Sequence, residues 1–150
     1  MSWRRRAGII AGAVVIAALA GCAAYFFLVL RRCGEVRDVR RGSFDYRLCG
    51  VGSELIARVP IVAPASEPLY SWTLADGTKP GRNVLRYESV APPKAVRTTL
   101  AEFLRQTGFS EKSADSEHEW WTDHHTELEL SIRGASGGSH VEILHNTGSD

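Results

Sequence analysis

All five histidines of this 150-residue chain fall in its last 33 residues: His118, His124, His125, His140 and His145. The stretch "HEWWTDHHTE" (118–127) sets three of them among Glu119, Asp123 and Glu127, with Glu117 just before. Imidazole and carboxylate are zinc ligands, so a metal site built from His118, His124, His125 and His140 is the first chemistry to weigh. The spacing argues against it. His118 is followed by Glu119-Trp120-Trp121-Thr122 rather than the H-E-x-x-H arrangement that puts two imidazoles on one helix face. If 118–123 and 126–133 pair as a hairpin, His124 and His125 occupy its exposed turn. His140 and Glu142 then share the outer face with Glu127 and Glu129. The expectation is a solvated polar hairpin, with no metal, no cofactor and no catalytic residue. Nucleophilic chemistry is no better supported. None of the serines stands in a G-x-S-x-G elbow. "GASGGS" (134–139) precedes a strand and lacks the lysine of a phosphate-binding loop.

Two other residue types bear on function. Trp120 and Trp121 are adjacent, so on a strand they point to opposite faces. One is expected in the core, and the outward one is the best interface candidate, tryptophan being enriched at binding hot spots. Of the three cysteines, Cys22 lies inside an apolar run, which leaves Cys33 and Cys49 as an even pair. In an oxidising compartment they would close a loop of fifteen intervening residues, worth about 3 kcal/mol by loop entropy.

The positioning elements begin with a membrane segment. Residues 7–30, "AGIIAGAVVIAALAGCAAYFFLVL", carry no charge. As a helix they reach about 36 Å, more than the ~30 Å hydrocarbon core of a bilayer. The expected order is a basic tail (1–6), a transmembrane anchor (7–30), a basic juxtamembrane segment (31–43), an α+β domain (44–146) and a short tail (147–150). Gly8 and Gly12 have the spacing that lets two membrane helices approach closely. Charge is divided along the chain. Residues 1–41 carry eight arginines against Glu35 and Asp38, whereas residues 42–150 carry ten Lys/Arg against fifteen Asp/Glu. The basic end suits phospholipid headgroups, and an acidic domain argues against nucleic acid. Lys/Arg counts on the two flanks lean toward a cytoplasmic C-terminus. The cysteine pair leans the other way, and the outside placement is favoured.

The first 22 residues also resemble a bacterial lipoprotein signal: "RRR", an apolar core, then Leu19-Ala20-Gly21-Cys22. The resemblance implies cleavage before Cys22 and acylation of its sulfur. It covers that segment alone, and the sequence departs from it downstream. "AAYFFLVL" follows the cysteine, where lipoproteins usually turn polar. A retained helix is therefore preferred, in a bacterial inner membrane.

Within the domain, "FDYRLC" (44–49) and "ELIARVPIV" (54–62) suggest strands, as does "LYSWTL" (69–74). "NVLRYESV" (83–90) is a further strand. A helix follows, opened by Pro92 and Pro93. Its apolar face is Val96, Leu100, Phe103 and Leu104, and it closes near Thr107 with Gly108 as left-handed cap and Phe109 folding back. After the polar stretch 110–117 come strands at 118–123, 126–134 and 140–146. The second of these alternates Leu128, Leu130 and Ile132 with polar residues, the mark of a half-exposed antiparallel strand. The fold class is α+β: one helix on an antiparallel sheet, β-α-β-β-β from residue 83. The arrangement is similar to small uncharacterised bacterial envelope domains, a resemblance that implies no activity. The whole suggests a membrane-anchored, non-enzymatic protein that binds lipid through its anchor and a protein partner through its domain. The alternative is a metal-binding protein or enzyme using the histidine cluster.

Overall fold

The computed structural model describes residues 3–49, 53–75 and 79–147, with side chains described from residue 14 onward except that of Leu30. The chain forms two units, 1–32 and 33–150. The first is the helix α1 (Trp3–Cys33), whose Val14–Cys33 segment has a mean hydropathy of 2.2 and is long and apolar enough to cross a membrane. Its described apolar side chains, among them Ile16, Leu19, Phe26 and Phe27, are exposed within the chain itself. Gly8 and Gly12 fall in α1 before residue 14, so their surroundings lie outside the described side chains.

The second unit is a seven-stranded sheet in which every neighbouring pair is antiparallel. The strands are β1 (Glu35–Arg40), β2 (Leu69–Thr73), β3 (Gly81–Ser89), β4 (Ser110–Ala114), β5 (His118–Thr122), β6 (Glu127–Ala135) and β7 (Gly138–Thr147). Their spatial order is β1-β2-β3-β7-β6-β5-β4. Helix α4 (Pro93–Gln106) leaves the end of β3 and delivers the chain to β4 at the far edge. It buries Val96, Leu100, Ala101 and Leu104. Gly108 (φ 93°) takes the left-handed cap, and the Phe109 N–H reaches back to Leu104 O at 2.9 Å. This places the helix end where its sequence punctuation put it.

Four expectations are corrected. Residues 44–49 form a helix, α2 (Phe44–Cys49), not a strand. Ser43 caps it, its Oγ accepting from Tyr46 N at 3.3 Å, and six residues are too few for alternation to outweigh a cap. Likewise α3 (Glu54–Arg58) replaces a strand at 54–62. Ser53 Oγ accepts from Ile56 N, and the helix ends at Val59 because Pro60 excludes the helical conformation before it. Residues 35–40, expected as juxtamembrane, and 110–114, expected as a polar connection, are strands. From residue 81 the order is therefore β-α-β-β-β-β. Both are edge strands, each carries a register shift, and neither shows the alternation that marks a buried face.

Strand parity sorts the side chains. Leu85, Tyr87, Val141, Ile143, Leu128, Leu130, Ile132 and Trp121 point to the inner face, under α4, and form the core with Ile56 and Val59. The β6–β7 hairpin turns at Ser136–Gly137. There Gly138 (φ 155°) is obligatory, since a Cβ would stand 1.8 Å from Ser89 O.

Candidate functional site

The outer face of the sheet follows from the same alternation. Arg86 and Glu88 on β3 stand opposite Glu142 and His140 on β7. Glu129, Ser131 and Arg133 on β6, with His118 and Trp120 on β5, continue the surface. These strands and the loop at Ser66–Glu67 enclose a shallow groove of about 520 Å³. Its charges are laced by cross-strand contacts. Arg86 Nε donates to Glu142 Oε2 at 2.9 Å, and His140 Nδ1 lies 3.5 Å from Glu88 Oε1. His118 Nε2 lies 3.9 Å from Glu129 Oε1. The hydrogen bond to Glu142 holds the Arg86 guanidinium above its ordinary pKa, against a smaller desolvation effect. The groove lining still carries four carboxylates (Glu67, Glu88, Glu129, Glu142) against two guanidiniums (Arg86, Arg133). Glu88 and Glu142 are roughly half exposed, so water reaches the groups.

The histidines named from the sequence are placed as follows. His124 and His125 occupy the β5–β6 turn and are exposed, His124 with φ 77°. His118 and His140 face the groove from β5 and β7. Among the described residues no three His, Cys, Asp or Glu side chains converge as a metal site. The tryptophans separate by face. Trp120 is half buried on the outer face, its ring 5.8 Å from that of His118. Trp121 is 1% exposed, beneath Arg105 of α4, and is therefore withdrawn as an interface residue. Its Nε1–H donates to Glu119 Oε2 at 3.2 Å. Glu119 is itself buried and in ion contact with Arg97 of α4, whose Nε–H is not aligned for a hydrogen bond.

The fifth histidine, which sequence spacing does not distinguish, is bonded through both ring nitrogens. His145 Nδ1 lies 2.7 Å from Ser53 Oγ, and its Nε2 lies 3.1 Å from Thr126 Oγ1. Thr126 in turn donates to Asp123 Oδ1 at 3.0 Å. One tautomer satisfies the chain: Nδ1 accepts from Ser53, and Nε2–H donates to Thr126. Burial pushes the His145 pKa down, opposed by the nearby Asp123 carboxylate. Burial pushes Asp123 itself up, but hydrogen bonds from Thr126 and His125 carry it below the usual range. The Ser–His pair has the outline of a base-activated nucleophile. It is enclosed, however, with Ser53 5% and His145 6% exposed, and Ser53 Oγ already accepts the Ile56 N–H. It is a strut joining the start of α3, strand β7 and the β5–β6 turn. Parity was the signal that could have found it, since His145 shares the inward phase of Val141 and Ile143.

Cys33 and Cys49 are joined in a disulfide, with 5.2 Å between their Cα atoms. Cys22 is free and exposed within α1. No family model, curated protein or solved structure matches this chain.

Proposed function

We propose that the chain is a single-pass envelope protein of a bacterial inner membrane, held by α1, whose non-enzymatic domain binds a partner protein outside the cytoplasm. The observation that carries the binding role is the uncovered outer face. One side of the seven-stranded sheet is sealed by helices, while the other presents a groove of half-exposed, acid-rich charge flanked by Trp120. Charge complementarity favours a partner segment rich in Lys and Arg. The Cys33–Cys49 disulfide supports the outside placement, because such bonds persist in oxidising compartments. Acylation at Cys22 is the alternative mode of attachment and leaves the domain on the same side.

The test is co-purification from native membranes in mild detergent. Glu88→Lys with Glu129→Lys should remove a protein that wild type retains, and Glu102→Lys on the exposed side of α4 should not. If every co-purifying protein is indifferent to the groove changes, the binding role is wrong.

A further inference from the structure

Among the described residues of the second unit, three large apolar side chains are conspicuously exposed: Phe44 (67%), Leu74 (53%) and Val90 (61%). Two of them are tied to the point where the chain leaves α1. The Leu74 N–H donates to Gly34 O at 3.1 Å, one residue past Cys33. Phe44 begins α2, whose last residue, Cys49, is bonded to Cys33. Five residues of helix separate two Cα atoms by about 9 Å, and the disulfide adds 5.2 Å, so the Phe44 Cα stays within roughly 14 Å of the Cys33 Cα. Helix spacing puts Arg47 on the face of Phe44, three residues on, and both are exposed. Arg40 and Arg41 stand just before the helix and are exposed too, while Tyr46 turns inward to pack edge-on against Tyr70. Val90 differs. It follows the far end of β3, a nine-residue strand whose near end pairs with Thr73, beside Leu74. At ~3.3 Å per residue that separation is about 26 Å.

An exposed aromatic flanked by arginines and an exposed leucine, both tied to Cys33–Gly34 where the apolar helix ends, form the pattern of an interfacial membrane contact. We infer that Phe44 and Leu74 rest in the headgroup layer of the bilayer, with Arg41 and Arg47 on its phosphates, so that the disulfide fixes a lipid-bound foot at the base of the domain. This rests on α1 spanning the membrane.

The test is photo-crosslinking of the full chain reconstituted in vesicles of phosphatidylcholine with phosphatidylglycerol. A benzophenone side chain replaces, one at a time, Leu19, Phe44, Leu74 and Val90, with the disulfide checked by thiol labelling in each variant. Lipid adducts are expected at 19, 44 and 74 and at background level at 90. Adding Arg41→Gln and Arg47→Gln should lower the yield at 44. Adducts at 19 with none at 44 and 74 overturn the foot alone. No adducts at 19 overturn the spanning helix and the foot with it. Protein adducts replacing lipid adducts at 44 and 74 in native membranes also overturn it.

Discussion

Trp120 and Trp121 are neighbours in the chain and belong to opposite faces of one sheet, and the two faces obey different rules. On the inner face polar groups are few and buried, and two of them are tied into the packing: Glu119 by Arg97 and Trp121, His145 by Ser53 and Thr126. Removing one leaves another stranded out of water. On the outer face charges are many, exposed and paired with neighbours that water can replace. The first face fixes the fold. The second is free to change its partners, as the proposed binding role requires.

The sharpest way to break this contrast is to exchange the two tryptophans' fates. Trp121→Ala should cost about 3–5 kcal/mol in urea unfolding of the detergent-solubilised chain. Trp120→Ala should stay within roughly 1 kcal/mol while weakening partner retention. Equal costs would erase the distinction between faces. Next in size is the disulfide. Replacing Cys33 and Cys49 by Ser should cost roughly 3 kcal/mol, with hydrogen exchange rising first in 35–49, the edge strand and helix that the bond encloses. Third, Glu119→Ala should cost about 2 kcal/mol, against about 0–1 kcal/mol for Glu142→Ala in an exposed pair. The smallest effect is one of pH. Because burial lowers the His145 pKa in the fold, the unfolded chain binds the proton first. The contribution is complete above the unfolded value of about 6.5 and is lost as pH falls through the folded one, with a slope of at most ~1.4 kcal/mol per pH unit. His145→Gln should flatten that slope, and an unchanged acid transition would remove His145 from the account.

Much of this contrast was legible in residue order. The inward phase of Leu128, Leu130, Ile132, Val141 and Ile143 set both faces of the central strands, and Gly108 set the helix end. What was not legible had specific causes. The short helices at 44 and 54 owe their form to the single caps Ser43 and Ser53, which the apolar patterns of 44–49 and 54–62 concealed. Strand β4 is exposed on both sides, and β1 turns only Val36 and Val39 toward the core across a register shift, because an edge needs pairing more than burial. The Ser53–His145 contact joins residues 92 apart, and spacing cannot show it. The groove itself arises from five non-consecutive segments brought together by sheet order, so it had no local signature at all.

Whether the domain is carried on a retained helix and oxidised outside the cytoplasm is tested most directly by intact mass of membrane-purified protein, thiol-labelled in detergent with and without reductant. The account predicts the full-length mass, with one reactive thiol (Cys22) before reduction and three after. A mass lacking the residues before Cys22 and carrying acyl chains would contradict the retained helix. Three reactive thiols without reductant would contradict the oxidised, outward-facing domain.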